Sequence, residues 1–181
     1  GAGQQGHRAD LGALATAFRS GLSDRQLATE HTVSYLRHYR AVDHLRTVFA
    51  EPRSSPTEVH WYFGPTGTGK SRKFYEDHPD GYFKSCSDLW WSGYDGRAAV
   101  CLDDYRASFC KFDYLLRLFD RYPLKVEIKG GHVEFNPACI VVTTDQHPED
   151  MWSRQKVGSV AQLMRRLKEI KFFSSEAYPT E

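Results

Sequence analysis

The sequence predicts an α/β fold, a parallel sheet flanked by helices, with a small all-α segment in front of it. Three observations predict it. Val59–Phe63, Ala98–Leu102 and Cys139–Asp145 are short apolar runs that give way to Gly, acidic or polar residues, the pattern of strands buried on both faces. Strand and helix patterns alternate along residues 57–181, which argues crossover-connected parallel strands. Between the first run and a helical pattern lies Gly64-Pro65-Thr66-Gly67-Thr68-Gly69-Lys70-Ser71, which fits G-x-x-x-x-G-K-S/T at every fixed position.

The all-α segment spans residues 8–50. Leu11, Leu14 and Phe18 form an apolar stripe at helical spacing, closed by Ser20-Gly21. Ser23-Asp24-Arg25-Gln26 is a capping box that starts a second, short helix. A third helix runs from about Thr32 to Phe49, with Leu36, Tyr39, Val42, Leu45 and Phe49 expected inward. Two functions fit such a piece: an oligomerisation collar, or a helix-turn-helix with Arg37 and Arg40 on its recognition helix. Gly1-Ala2-Gly3 without methionine reads as an artificial start, with residues 1–7 disordered on a fragment of something longer. Glu51-Pro52-Arg53-Ser54-Ser55-Pro56 reads as a linker.

Composition narrows the function classes. The 181 residues, 40% hydrophobic and 14% aromatic, suffice for one sizeable core and a small appendage. No run of apolar residues is long enough to span a bilayer, so no membrane partner is expected. Cys86, Cys101, Cys110 and Cys139 lack C-x-x-C spacing and read as reduced thiols of an intracellular protein. The eight histidines form no H-x-H or H-x-x-x-H pair, so any metal should be Mg²⁺ arriving with a nucleotide. Net charge is +1, and the balance is +2 over residues 1–56 and −1 over residues 57–181. A nucleic-acid grip must therefore come from a local patch, or from a weak patch repeated around an oligomer.

The chemistry is read from three strand ends. In the Gly64–Ser71 loop the glycines let backbone N–H groups cradle phosphate, Lys70 reaches the β/γ-phosphates, and the Ser71 hydroxyl suits Mg²⁺. The helix that follows points its N-terminus at the anion. Asp103-Asp104 ends the second strand; there one carboxylate serves Mg²⁺ and its neighbour orients the attacking water. Thr144 and Asp145 end the third strand, where they would lie near a γ-phosphate.

Two further features lie outside those strand ends. Lys125–Asn136 is a hairpin signal in which Gly130-Gly131 fits a two-residue turn. That register would pair Lys129 with His132, Ile128 with Val133, Glu127 with Glu134 and Val126 with Phe135. It would place Lys129 and His132 on the solvent face beside a Gly130-Gly131 tip, suited to a phosphate backbone. Val160, Leu163, Met164 and Leu167 mark an amphipathic helix with Arg165 and Arg166 on its other face; spacing alone reads these as surface arginines.

Taken in order, GPTGTGKS, LWWSGYDG, AVCLDDY, LLRLFDRYPLKVEIKGGHVEF, CIVVTTDQHP and MRRL resemble the helicase segment of the replication-associated proteins of circular single-stranded DNA viruses, circovirus-like in feel. Those are superfamily 3 helicases with an AAA+-like P-loop core. The resemblance implies a homo-oligomeric, hexameric ring on single-stranded DNA, driven by ATP and Mg²⁺ between subunits, in the host nucleus. It assigns Lys70 and Ser71 to phosphate and Mg²⁺, Asp103 and Asp104 to the acidic pair, and Lys129 to DNA. It puts Asp145 at the sensor position and makes Arg165 or Arg166 a finger acting in trans, and it favours the collar for residues 8–50. The family sensor is usually Asn, whereas Asp145 can only accept hydrogen bonds. The family's nicking domain, with its His-hydrophobe-His motif, is expected to be missing from this chain; Tyr122-Pro123-Leu124-Lys125 matches Tyr-x-x-Lys by coincidence. A small-molecule kinase is the competing enzyme reading.

Overall fold

A computed structural model describes residues 2–154 and 157–175, and the chain divides after Phe49 into two compact units. The first holds α1 (Ala2–Arg19), α2 (Asp24–Glu30) and α3 (Thr32–Phe49). α1 starts at Ala2, ahead of the expected residue 8, so residues 2–7 are helical rather than disordered. The capping box forms as expected: Gln26 N–H donates to Ser23 Oγ at 3.2 Å and Ser23 N–H donates to Gln26 Oε1 at 2.9 Å. Only His31 separates α2 from α3, shorter than the three- or four-residue turn of a helix-turn-helix. Arg37, moreover, bonds His7 across the unit at 2.9 Å.

The core of this unit is smaller than the periodicity suggested. Leu14, Leu27 and Val42 are buried, with Ala17, Phe18, Leu22 and Tyr35 packed around them. Leu11, Leu36, Tyr39, Leu45 and Phe49 are exposed instead. Three short helices have room for one seam, and α3 turns Tyr35 and Val42, an i, i+7 pair, toward it. Leu36 is thereby turned away.

The second unit is a five-stranded, all-parallel sheet of order β2-β3-β6-β1-β7, with a separate two-stranded hairpin, β4-β5. The strands are β1 (Glu58–Phe63), β2 (Tyr82–Ser85), β3 (Ala99–Asp103), β4 (Lys125–Ile128), β5 (Gly131–Glu134), β6 (Cys139–Thr144) and β7 (Glu169–Phe172). The helices are α4 (Lys70–Asp77), α5 (Phe112–Leu118), α6 (Pro148–Met151) and α7 (Val157–Arg166). β6 lies centrally: Ile140 is opposite both Val59 of β1 and Val100 of β3. That is why the CIVVTT run is almost continuously buried.

Alternation along the strands divides the core in two. Tyr62, Ala99, Cys101 and Val141 meet Phe74 of α4 and Phe173 on one side. Val59, Trp61, Val100, Leu102, Ile140 and Val142 meet Leu115 and Leu118 of α5, Leu163 of α7, Trp91 and Phe135 on the other. Each fully buried Leu or Phe contributes about 1.5–3 kcal/mol.

The segment 51–56 is not a free linker. Arg53 is 4% exposed and belongs to the second unit. Its guanidinium donates to the Arg117, Leu118 and Tyr122 carbonyls at 2.7–3.0 Å. Two of these carbonyls lie in the last turn of α5, where a helix runs short of donors of its own; the Arg117 carbonyl also accepts from Asp120 N–H at 3.3 Å. All four cysteines are free thiols. Burial pushes Cys86 up to about 12 and Cys110 and Cys139 up to about 11, so they are unreactive at neutral pH. Among the described residues no helix is long and apolar enough to cross a membrane.

Candidate nucleotide site

The three strand ends meet as the sequence implied. β1, β6 and β3 are neighbours and parallel, so their C-terminal ends share one edge, where α/β folds place ligands. Gly64 follows β1 with φ +143. A Cβ there would collide with the Phe173 carbonyl, because Phe173 N–H donates to Phe63 O at 2.8 Å and draws the chain after β7 against the loop. Gly69 caps α4 in a left-handed conformation, φ 90, with no side chain on the helix N-terminus. The first amides of α4 are left for an anion.

The loop, Asp103, Asp104, Arg106 and the polar end of β6 line a cavity of about 540 Å³. Lys70 Nζ donates to Gly64 O at 2.8 Å and Pro65 O at 2.7 Å. Burial lowers its pKa, while Asp145, Asp104 and Asp103 pull it back up; the net direction is down. Ser71 Oγ donates to Asp103 Oδ1 at 2.7 Å, and Thr143 Oγ1 donates to the same oxygen at 3.0 Å. Thr143 Oγ1 in turn accepts from Asp104 N–H at 3.0 Å. Asp104 takes a left-handed φ of 49, which Asp tolerates better than most residues. Its carboxylate is 73% exposed, whereas the Asp103 oxygen is held by two hydroxyls. The two acids therefore differ in surroundings. A serine hydroxyl beside a carboxylate is a hard-oxygen donor set that fits Mg²⁺.

The sensor end differs in detail from expectation. Thr144 is 2% exposed and its hydroxyl donates to Tyr105 O at 2.7 Å, so it braces the backbone. Asp145 opens to the cavity and pairs with Arg106. Thr143 and Arg106 escaped the sequence reading. Thr143 looked like one more strand residue, and Arg106 follows the acidic pair by two positions with no motif to mark it.

The hairpin forms out of the expected register, each β4 residue pairing two residues earlier on β5 than expected. β4 and β5 pair Lys125 with Glu134, Val126 with Val133, Glu127 with His132 and Ile128 with Gly131. The turn is Lys129-Gly130, with only Gly130 at positive φ, +89. This register replaces the Glu127/Glu134 repulsion by a Lys125–Glu134 ion pair and a His132–Glu127 contact, each at 3.8 Å. Lys129 thus sits in the turn, and His132 is beside an acid rather than beside Lys129. Trp91 N–H donates to Glu127 O at 2.9 Å and ties the LWWSGYDG segment to the free edge of β4. None of residues 129–132 lines the cavity.

The arginine pair separates. Arg166 Nη1 donates to Gln162 O at 2.7 Å and Nη2 pairs with Asp120 at 3.3 Å. It does not project from the helix as expected, because it follows the buried Leu163 by three residues and shares its side. Arg165 is exposed and makes no hydrogen bond or ion pair among the described residues. Neither arginine lines the cavity of its own chain.

A family model described as RNA helicase matches residues 60–146, from β1 through the loop, acidic pair and hairpin to the residue after Asp145. At 38% identity over 176 residues, the chain is similar to the Replication-associated protein of Porcine circovirus 1, with 94% of this chain and 56% of that protein covered. It is 42% identical over 149 residues to the protein of that name from Beak and feather disease virus, with 81% of this chain and 50% of that one covered. The chain belongs to the circovirus-like replication-associated proteins. Human associated cyclovirus 1 supplies a further relative of that name, 37% identical over 151 residues. The chain spans about half the length of the curated relatives it matches.

Proposed function

We propose that this chain is the ATP-hydrolysing motor segment of a viral replication initiator, acting as a helicase on single-stranded DNA from within an oligomeric, hexameric ring. One observation carries the reading: the Ser71–Asp103 hydrogen bond of 2.7 Å joins the phosphate loop to the acidic strand end inside the cavity that Lys70 and Asp145 also line. Lys70 exchanges the Gly64 and Pro65 carbonyls for β/γ-phosphate oxygens, and the Gly67–Gly69 backbone and the α4 N-terminus hold the rest of the chain of phosphates. Mg²⁺, when bound at Ser71 and Asp103, supplies charge neutralisation of the phosphates. Asp104 orients water and accepts its proton while the water oxygen bonds to the γ-phosphorus. The bond from that phosphorus to the bridging oxygen breaks, and its electron pair leaves on ADP.

The ring supplies what one chain lacks. Arg165, unpaired within the described residues, is the finger for a neighbour's γ-phosphate, and Arg166 is held at home by Asp120. Exposed Val33, Leu36 and Val48 on α3 support the collar reading of the first unit. Lys129 at the hairpin tip, with Gly130, Gly131 and His132, would contact the DNA backbone, one weak contact per subunit summed around the ring. The host nucleus is the compartment proposed for this work. Hydrolysis of Mg²⁺-ATP, with and without single-stranded DNA, tests the reading. Wild-type turnover should rise with DNA, Lys70→Ala should abolish it, and Asp104→Asn should bind nucleotide but turn over slowly. Turnover indifferent to DNA, with phosphate passed to a small acceptor, would sink the motor in favour of a kinase.

A further inference from the structure

We propose that Arg106 is the γ-phosphate sensor of this site, working in cis as a pair with Asp145; the proposal rests on the ATPase reading above. Arg106 Nη1 pairs with Asp145 Oδ2 at 3.3 Å and Nη2 with Asp104 Oδ1 at 3.3 Å. The guanidinium therefore bridges the two acids assigned to the attacking water and to the sensor, and all three residues line the cavity. Its root is fixed and its head is not. Tyr105 N–H donates to Thr143 O at 2.8 Å, and Tyr105 O accepts from Thr144 Oγ1 at 2.7 Å. Tyr105 is fully buried, so the backbone just before Arg106 is clamped to β6. The Arg106 side chain is 58% exposed.

Exposed ion pairs contribute little to folding, so this bridge is readily exchanged for a better anion. A triphosphate is that anion, because the guanidinium fork matches phosphate oxygens in two-point contact. Asp145 also poses a problem that Arg106 resolves. A carboxylate beside a γ-phosphate is repelled by it and has no donor to offer. With Arg106 between them, Asp145 becomes the acceptor that aims a donor. When Arg106 moves onto the γ-phosphate it releases Asp104, which then accepts from the attacking water. A diphosphate offers no γ-phosphate, so Arg106 stays across the two acids and Asp104 stays engaged.

The test compares nucleotide affinities of the full chain, with Mg²⁺, for ADP and for a non-hydrolysable ATP analogue, together with KM and kcat for ATP. Arg106→Gln should weaken the analogue about tenfold or more and leave ADP nearly unchanged, because one charge-assisted contact to the third phosphate is lost. Its kcat should fall and its urea midpoint should hold. Arg106→Lys should recover part of the analogue affinity. In an Asp145→Asn background the Arg106→Gln loss should shrink, because Asn donates for itself and the two residues act as a unit. The proposal is overturned if Arg106→Gln weakens ADP and analogue equally, if the ratio does not change, or if the loss is the same with Asp145 and with Asn. If wild type binds neither nucleotide, the ATPase reading falls and takes this one with it. If wild type binds and hydrolyses ATP while the variants behave alike, only the sensor is lost.

Discussion

Replacing Arg53 by Met should cost the second unit about 3–5 kcal/mol, by far the largest effect expected of any residue between Phe49 and β1. The side chain is 4% exposed and its guanidinium donates to Arg117 O at 2.9 Å, Leu118 O at 2.7 Å, and Tyr122 O at 3.0 and 2.9 Å. Met keeps the apolar stem but not the guanidinium, whose carbon lies 5.6 Å from the Phe135 ring centre. What is lost is the donor fork. A buried acceptor left without a partner costs about 1–3 kcal/mol. The Leu118 bond is fully buried and is charged in full, whereas the Arg117 and Tyr122 bonds are part-buried and recover some water. The sum is a large share of the about 5–15 kcal/mol that holds an ordinary domain together. Urea unfolding followed by tryptophan fluorescence is the assay. All four tryptophans, at positions 61, 90, 91 and 152, lie in the second unit, so the signal reports that unit alone. Arg53→Lys should recover less than half, since an ammonium cannot span three carbonyls. A loss below about 1 kcal/mol in Arg53→Met, or full stability in Arg53→Lys, would refute the reasoning.

Three further outcomes follow from the site and its surroundings. Lys129→Ala should spare basal ATPase and assembly but weaken single-stranded DNA binding and lower its salt slope by about 0.7 per lost contact; normal binding in a filter or anisotropy titration would remove the hairpin from the DNA path. Arg165→Ala should stop turnover in an intact fold and regain some of it in rings mixed with Lys70→Ala subunits, whereas Arg166→Ala should instead lower the urea midpoint through loss of the Asp120 pair at 3.3 Å; equal behaviour of the two variants would contradict the assignment. Burial pushes the Asp120 carboxyl up, but the Arg121 N–H and the Arg166 guanidinium outweigh it and hold the carboxyl below its usual range. A depressed folded value means stability present above the unfolded pKa of about 3.9 and lost as pH falls through the folded one. The urea midpoint should therefore drop below about pH 4, and Asp120→Asn should flatten that drop; an unchanged acid slope would show that another group is responsible.

The strand ends were legible because their chemistry is local. A glycine loop, a lysine and a strand-terminal acid announce themselves within a few residues, and β1, β3 and β6 appear within a residue of their expected starts and ends. β2 and β7 were missed. YFKS and EIKF are short sheet strands in which polar residues interrupt the apolar run. The hairpin register was misjudged because GG offers two turns, and the choice between them lies in cross-strand charges rather than in the glycines.

The sequence by itself determined the parallel α/β core, the phosphate loop and its acidic partner, and the family resemblance that the relatives bear out. These are encoded by spacing along the chain, where period and motif suffice. Only the tertiary structure decided which side chains meet across it. It separated Arg165 from Arg166 by giving the second an acid 46 residues away to hold. It turned Arg53 from a linker residue into a clamp on α5, and it set Arg106 between Asp104 and Asp145. Each of these depends on contacts between residues distant in sequence, or on how a strand end turns, and no periodicity records such contacts before the sheet brings them together.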